Sequence, residues 1–348
     1  MSPGRSLPVS AAAALACLGA ALAGAAPAAA AAEERLPIIY STDLYHPHDD
    51  PDDHYDLLTL LAHPRFDVRA IVLDQGPRGA GRLGVMPLRQ AMAITGRSAP
   101  YAPGLVENLG SGEDTGAGQP APAQAGVELI LRSLAEPSSG AVTVFTTGSL
   151  RDVAAAYNRD PALVAARVAR LYVNAGHSAG GREWNVDLDP HAYCRIMQSQ
   201  LPVYWVPCFG VPEHQSLWRF RQGELLDAAP APVQNYILFA LTRAPAGESD
   251  PAGTLRTFAV EPGVRARLWA EERNMWCTAA FLHAAGVPGR TFGFTEGSIE
   301  IDPDGVTRMG TAAGAVRHQV FTCTRPESYP AEMFEALQGI VGAIASRP

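Results

Sequence analysis

The chain has 348 residues, 47% of them hydrophobic, which is enough for one large domain or two small ones. Its formal net charge is −8, and it contains no run of Lys or Arg. This acidic balance argues against a nucleic-acid-binding surface, so we expect no nucleic-acid partner.

The N-terminal segment, residues 1–32, differs in composition from the rest of the chain. Arg5 is its only charged residue, and the Ala-rich apolar run that follows ends in A-x-A patterns just before Glu33. These features are typical of a secretory signal peptide, so we expect a secreted or periplasmic protein of residues 33–348. An uncleaved membrane anchor is the alternative, and a lipoprotein site at Cys17 is less favoured. No later stretch is long and apolar enough to insert stably in a membrane.

The rest of the chain alternates predicted strands with predicted helices. In chain order we predict a strand at 36–41, a helix at 52–64, a strand at 68–74, a helix at 86–97, a Gly/Pro-rich loop at 110–126 and a helix at 127–136. There follow a strand at 141–148, a helix at 149–161, a strand at 168–176, a helix at 190–200 and a strand at 202–208. We expect mainly helices in 210–285, late strands in 286–325 and a closing helix at 330–345.

The predicted strands are continuously apolar, and each is followed by a helix. This order is typical of a mostly parallel open sheet with helices on both faces, a Rossmann-like α/β fold. No linker divides residues 33–348, so we predict a single domain. Ligands of such sheets bind beyond the carboxyl ends of the strands. Four loops should meet there, at residues 41–53, 73–76, 145–150 and 174–185.

The first of these loops carries five aspartates within residues 41–53, directly after a predicted core strand. Clustered carboxylates repel one another, and they either raise their pKa values or hold a cation. The donors nearby in sequence are hard oxygens with no thiolate, which favours Ca²⁺ or Mg²⁺ over zinc. The alternative is a solvated acidic turn in which Asp52 and Asp53 serve the N-terminus of the next helix, and this accounts for only two of the five acids.

Three segments together resemble the inosine–uridine nucleoside hydrolase family. "STDLYHPHDDPDDHYDLLTLL" is similar to the family's N-terminal aspartate motif, although it inserts "HPH" and lacks the motif's Gly. "VTVFTTGSLRDVAAAYNRDP" and "LYVNAGHSAGGREWNVDLDPHAY" resemble two later family segments, and the resemblance spans roughly residues 36–340. It implies the nucleoside hydrolase fold, one bound Ca²⁺ and hydrolysis of the N-glycosidic bond of ribonucleosides or related pentose glycosides.

The resemblance also implies roles for individual residues. The implied metal ligands are Asp43, Asp53 and the backbone carbonyl of Thr147. The longer loop, which departs from the family pattern, offers Asp50 or Asp49 as a further ligand. Asp43 would also be the base that takes a proton from the attacking water. The implied substrate-binding residues are Asp52, Gln75, Glu183 and Asn185, and His177 is added because it lies beside them in the same loop. His177 and His54 are candidates for the acid that protonates the leaving group, and the alternative is that each is a loop histidine that only bonds the backbone. His46 and His48, in the longer loop, are expected to be solvent-exposed or to shape a lid.

One departure from the family pattern leaves two functions open. The family has a His-Asp pair at the start of a late helix, and alignment on "TAAF" places Met275 and Trp276 at those positions. We therefore expect an exported metal-dependent N-glycosyl hydrolase acting on a small nucleoside or pentoside. The alternative is a non-catalytic nucleoside- or sugar-binding protein on the same fold. A homo-oligomer is compatible with the sequence. Free thiols and one disulfide are equally compatible with the four later cysteines, at positions 194, 208, 277 and 323.

Overall fold

The computed structural model describes residue 1 and residues 35–137, 140–245 and 250–346. The predicted signal peptide therefore lies almost entirely outside the described residues. From Arg35 onwards the contacts between residues define one unit, without a division into smaller domains.

Eleven strands and fourteen α-helices make up the described fold. The strands are β1 Leu36–Thr42, β2 Phe66–Leu73, β3 Tyr101–Pro103, β4 Val142–Thr146, β5 Val168–Val173, β6 Val203–Trp205, β7 Trp218–Arg221, β8 Glu272–Met275, β9 Phe292–Ile301, β10 Thr307–Met309 and β11 Val316–Cys323. The helices are α1 Asp52–Ala62, α2 Gly76–Gly79, α3 Val85–Thr95, α4 Ala125–Ala135, α5 Arg151–Arg159, α6 Pro161–Arg167, α7 Trp184–Leu188, α8 Pro190–Met197, α9 Gln222–Leu226, α10 Ala231–Leu241, α11 Pro251–Thr257, α12 Pro262–Ala270, α13 Thr278–Ala284 and α14 Tyr329–Gly342.

One nine-stranded sheet organises the molecule, in the order β10-β9-β11-β6-β5-β4-β1-β2-β3. The seven strands from β11 to β3 run parallel to one another, and β9 runs antiparallel to both β11 and β10. Strands β7 and β8 form a separate antiparallel pair. The carboxyl ends of the parallel strands consequently lie along one edge of the sheet, where such folds bind ligands.

Helices cover both faces of the sheet. Because side chains alternate between the two faces along a strand, one strand can contribute side chains to the hydrophobic clusters on both faces. In β1, Ile38 and Tyr40 belong to one hydrophobic cluster together with side chains of α1, α3, α10 and α14. Ile39, between them, belongs to a second cluster with side chains of α4, α5 and α8. The continuously apolar strands of the sequence are thus buried on both sides.

The predicted fold class is confirmed, and the predicted strands and helices of residues 36–208 are present. The region 210–285 contains the expected helices, but it also contains β7 and β8, which the sequence did not reveal. All four cysteines after the N-terminal segment are free thiols, and three of them are buried. Among the described residues, no helix has the length and apolar character needed to cross a membrane.

Candidate functional site

The carboxyl edge of the sheet opens into a cavity of about 320 Å³. Residues following β1, β4, β5 and β6 line it, together with the segment between β8 and α13. Its acidic lining residues are Asp43, Asp49, Asp50, Asp52, Asp53 and Glu183. Its aromatic lining residues are Tyr45, Trp184, Phe209 and Trp276. The remaining lining residues are Thr147, Asn174, Asn185, Cys208 and Cys277. The cavity thus combines an unusual density of carboxylates with aromatic surface.

Asp53, in the first turn of α1, is fixed by hydroxyl groups from two neighbouring strands. Its Oδ1 accepts hydrogen bonds from the hydroxyls of Tyr40 at 3.1 Å and Thr147 at 2.6 Å, and from Thr42. The Tyr40 and Thr147 hydroxyls also bond each other at 2.9 Å. The Asp53 side chain is therefore a buried carboxylate in one defined orientation, and the residue is only 4% exposed.

Two further carboxyl groups beside Asp53 have strongly perturbed acidity. Burial raises the pKa of Asp43 well above its usual value, and the charge of Asp53 and a hydrogen bond with it raise it further. Burial also raises the pKa of Asp52, followed by repulsion from Asp53 and Asp50. Arg273 opposes the rise in the pKa of Asp52, and its influence ranks below the repulsion from the acids. The floor of the cavity therefore contains excess negative charge.

The opposite wall is built around the N-terminus of α7. The Glu183 carboxylate accepts from the backbone N–H groups of Gly176 at 2.8 Å, Asn185 at 3.1 Å and Val186 at 3.2 Å, and so caps this helix. The Asn185 amide then donates to the carbonyl of Thr147 at 3.2 Å. The carboxylate of Glu183 is therefore occupied by hydrogen bonds to the backbone. Through its bond to the Asn185 N–H it also positions Asn185 against the loop after β4.

A buried ion cluster supports the loops from behind. The Arg151 guanidinium donates to Asp74 at 2.6 Å and to Asp189 at 3.0 Å, and all three side chains are at most 1% exposed. Asp74 also accepts the backbone N–H of Ser149 at 2.7 Å. The cluster therefore joins the loops after β2 and β4 to the start of α8. Sequence reasoning missed it, although the charged "SLRD" directly after an apolar strand was the available signal.

Two of the five loop aspartates are paired at the rim of the cavity. Asp49 accepts two hydrogen bonds from Arg82, at 2.7 and 2.8 Å. Asp50 bonds Arg273 at 2.5 Å. These pairs use carboxylates that the sequence left available for a metal ion. Asp50, the proposed further ligand, lines the cavity but is engaged by an arginine.

Comparison with known proteins defines the family. The profile of the inosine-uridine preferring nucleoside hydrolases matches residues 38–242. The chain belongs to this family. A curated relative, an uncharacterised protein of Schizosaccharomyces pombe, is 26% identical over 113 residues, which are 31% of this chain and 36% of that protein. The matched part thus spans about a third of that relative's length.

Solved structures share the nucleoside hydrolase fold at low identity. A plant nucleoside hydrolase has a TM-score of 0.58 and 17% identity, over 87% of this chain and 99% of its own. A purine-preferring ribonucleoside hydrolase from Gardnerella vaginalis has a TM-score of 0.58 and 15% identity, over 88% and 99% of the two chains. The type III effector protein XopQ, solved with adenosine diphosphate ribose, has a TM-score of 0.55 and 15% identity, over 89% and 95%. At these identities the likeness shows the fold alone.

The structure brings together most of the residues that the family resemblance singled out. Those that line the cavity are Asp43, Asp50, Asp52, Asp53, Thr147, Glu183 and Asn185. Gln75 and His177 are not among the lining residues. His177 accepts the backbone N–H of Ala179 at 3.0 Å, as the alternative interpretation of a loop histidine expects. Asp52 and Asp53 do not cap α1 through their side chains, because the residue at the cap position is Pro51.

The histidines of the longer first loop are buried, so the expectation that they are solvent-exposed is wrong. His46 stacks on Phe239 with ring centroids 5.0 Å apart, and it bonds the carbonyl of Ala244 at 2.6 Å. His48 lies against His54, 6.2 Å between ring centroids, and His54 is fully buried and not in the cavity lining. The loop therefore packs against α10 through the stacking of His46 on Phe239.

The donors present fit a hard divalent cation by their chemistry. Asp43, Asp53 and Thr147 line the same cavity, and the repulsion between the two carboxylates is the condition that a cation relieves. Cys208 and Cys277 also line the cavity, which could not be foreseen because they are far from the aspartates in sequence. Burial raises the pKa of both thiols and keeps them protonated. Within the described residues, no cage of three or more His, Cys, Asp or Glu side chains is formed. Water would have to complete the coordination of an ion here.

Trp276 lines the cavity, and it is the residue that the sequence resemblance aligns with a carboxylate ligand of the family. Its neighbour Met275 is fully buried in β8 and does not line the cavity. The alignment that replaces the family's His-Asp pair with these two residues is therefore compatible with their positions, and no histidine lines this cavity.

Proposed function

We propose that the protein is an exported, Ca²⁺-dependent N-glycosyl hydrolase that cleaves ribonucleosides or related pentose glycosides. The observation that carries the proposal is the floor of the cavity, where Asp43, Asp52 and Asp53 are held close together with raised pKa values at the first two. Repelling carboxylates of this kind are costly unless they serve a cation or a developing positive charge. Membership of the nucleoside hydrolase family supports the choice of reaction.

The residues suit attack by water at an anomeric carbon. Asp43 takes one proton from the water while the oxygen of the water bonds to the anomeric carbon. The raised pKa of Asp43 makes it a stronger base than an exposed aspartate. The bond between the anomeric carbon and the glycosidic nitrogen breaks, and its electron pair leaves with the nucleobase. The negative charges of Asp52 and Asp53 stabilise the oxocarbenium character of the transition state. Asn185, fixed between Glu183 and Thr147, is placed to hold a sugar hydroxyl.

Asp43, Asp53 and the Thr147 carbonyl are the groups that would hold Ca²⁺. When bound, the ion would lower the pKa of a coordinated water and orient the sugar diol. Asp50 is a weaker candidate ligand, because its carboxylate is paired with Arg273. Export is part of the proposal on the composition of residues 1–32, and sequencing the mature N-terminus from the native host tests it.

A second candidate function is a non-catalytic nucleoside- or sugar-binding protein. The specific observation in its favour is Trp276, which lines the cavity at a position where the resemblance leads one to expect a member of the His-Asp pair. General acid assistance contributes about 10²–10⁴ in rate, so its loss would leave binding largely intact and turnover slow.

The deciding experiment incubates the mature protein with a panel of nucleosides, with Ca²⁺ and with a chelator, and measures free base and ribose. We expect Ca²⁺-dependent release of both from at least one nucleoside, abolished by Asp43→Asn. Binding of nucleosides without release would establish the second function instead. Release that persists in chelator would contradict the metal dependence alone.

A further inference from the structure

Two buried polar atoms, each on a residue that lines the cavity, have no hydrogen-bond partner among the described residues. They are Oδ1 of Asn174 and Nε1 of Trp276, and both residues line the cavity. Buried polar groups of native proteins are nearly always hydrogen-bonded, so an unpaired one in a binding cavity calls for a ligand or water. Here one atom is an acceptor and the other a donor, which limits what the ligand is.

The orientation of the Asn174 side chain is fixed. Its Nδ2 donates to the carbonyl of Thr146 at 3.0 Å. A carbonyl oxygen only accepts, so the opposite amide orientation would place two acceptors together, and Oδ1 must be the free end. The backbone is held as well, because the Asn174 N–H donates to Thr146 at 3.2 Å and its carbonyl accepts from Asn185 at 3.1 Å. Oδ1 is a preorganised acceptor.

Trp276 presents a donor only, since an indole nitrogen has no free lone pair to accept with. Its ring packs edge-on against Phe209, with centroids 5.8 Å apart. The preceding residue, Met275, is fully buried in β8, and the following residue, Cys277, is the N-cap of α13. The chain on either side of Trp276 is thus anchored, which fixes the position of the N–H.

We propose that Asn174 and Trp276 bind the substrate at two different points. Asn174 Oδ1 accepts from a sugar hydroxyl, because Asn174 is bonded to Asn185 beside the acidic floor. Trp276 Nε1 donates to a carbonyl oxygen or ring nitrogen of the leaving group, because Trp276 and Phe209 pack together and give this part of the cavity an aromatic surface. The substrate class is a glycoside whose leaving group is a flat heterocycle with an exposed lone pair. The proposal rests on the proposed function.

The indole does not give up its proton in this arrangement. Its hydrogen bond stabilises charge that develops on the leaving group but replaces neither the acid nor the metal ligand of the family pattern. Trp276 would thus recover part of the assistance that the substitution of the His-Asp pair removes.

The test of Asn174 uses inosine and its 2′-, 3′- and 5′-deoxy derivatives. kcat/KM is measured, or the dissociation constant by calorimetry where turnover is absent, for the unmodified protein and for Asn174→Leu. We expect a loss of about 3- to 12-fold for inosine and two derivatives, and no loss for the derivative that lacks the hydroxyl bound by Asn174. Equal losses on all four compounds, or none, would overturn this role while the proposed function stands. An unmodified protein that neither binds nor hydrolyses any of them would overturn both.

The test of Trp276 compares function with stability. Trp276→Phe removes a donor that has no partner in the free protein, so the thermal midpoint should be unchanged while kcat/KM for inosine falls about 3- to 12-fold. The matched control is Trp269→Phe, outside the cavity, whose indole N–H donates to Asp227 at 2.9 Å. That change should lower the midpoint and leave kcat/KM unchanged. A lower midpoint with unchanged kcat/KM for Trp276→Phe would show that the indole is only structural.

Discussion

Asp53 offers the most informative perturbation, because its carboxylate is both a hydrogen-bond acceptor and a source of repulsion. Replacing it with alanine removes the acceptor for the hydroxyls of Tyr40, Thr42 and Thr147. Replacing it with asparagine keeps an acceptor oxygen of the same reach and removes only the charge. The two variants therefore separate the packing role of the side chain from its electrostatic role.

The magnitudes follow from the donors left behind. In Asp53→Ala the Tyr40 hydroxyl still bonds Thr147, so about two buried donors lose their acceptor. At about 1–3 kcal/mol each, unfolding becomes easier by about 2–6 kcal/mol, less the repulsion that is relieved. In Asp53→Asn no donor is orphaned, and the charge that raises the pKa of Asp43 and Asp52 disappears. We expect that variant to lose less than about 2 kcal/mol, or to gain stability.

The pH dependence of this effect has a defined sign. The pKa values of Asp43 and Asp52 are raised in the folded state, so the metal-free fold binds more protons than the unfolded chain. Their favourable contribution is complete below the unfolded value of about 4 and is lost as pH rises. Asp53→Asn reduces that loss, so its stability relative to the unmodified protein should increase with pH.

Urea unfolding in the presence of a chelator, at pH 5 and pH 8, measures both variants, and calorimetry measures their Ca²⁺ affinity. Both should lose Ca²⁺ binding, whereas only Asp53→Ala should be strongly destabilised. If the asparagine variant were as unstable as the alanine variant, charge repulsion at the floor would be refuted. If Ca²⁺ bound either variant as tightly as the unmodified protein, Asp53 would not be a ligand.

Three further outcomes are expected. Burial raises the pKa of Asp152 to about 7, so its contribution to stability is present below about pH 4 and lost as pH rises through 7, up to about 4 kcal/mol; Asp152→Asn should flatten the pH dependence of urea unfolding, and an unchanged profile would contradict the shift. Arg151→Leu strands the buried carboxylates of Asp74 and Asp189 and should cost about 3–5 kcal/mol in the same assay, with a smaller loss counting against the ion cluster. Inosine should be cleaved about 10²–10⁴ less well than a nitrophenyl riboside, whose leaving group needs no proton, and comparable rates on both would mean that another residue acts as the acid.

The fold was predictable because its signals are local. Apolar runs bounded by turn residues place β1, β2, β4 and β5, and helical spacing places the helices between them, with the order alone indicating a parallel sheet. The pair β7 and β8 escaped because its strands are 4 residues each and are separated by about 50 residues of mostly helical chain. Pairing at that distance is decided by tertiary contacts, which no local pattern records.

The acidic loop shows where prediction from composition stops for the site. Five aspartates next to a strand indicate a cation site, yet the structure divides them by long-range partners. Asp49 is bonded to Arg82 and Asp50 to Arg273, which is 223 residues away in sequence. An arginine at such a distance cannot be assigned to an aspartate before the fold is known. The same limit concealed Cys277, which lies between β8 and α13 and lines the cavity once β8 is paired with β7.

The division of the loop acids is itself an argument about function. Surface ion pairs such as Asp49–Arg82 contribute about 1 kcal/mol or less to stability, so their formation or loss changes the free energy of unfolding little. Carboxylates that lie together away from water without an arginine partner destabilise the fold. A loop whose acids served only solubility would have them paired or exposed. Asp43 and Asp53 are instead fixed at the one edge of the sheet where ligands bind. Their cost is explained if a cation or the positive charge of a transition state occupies the space between them.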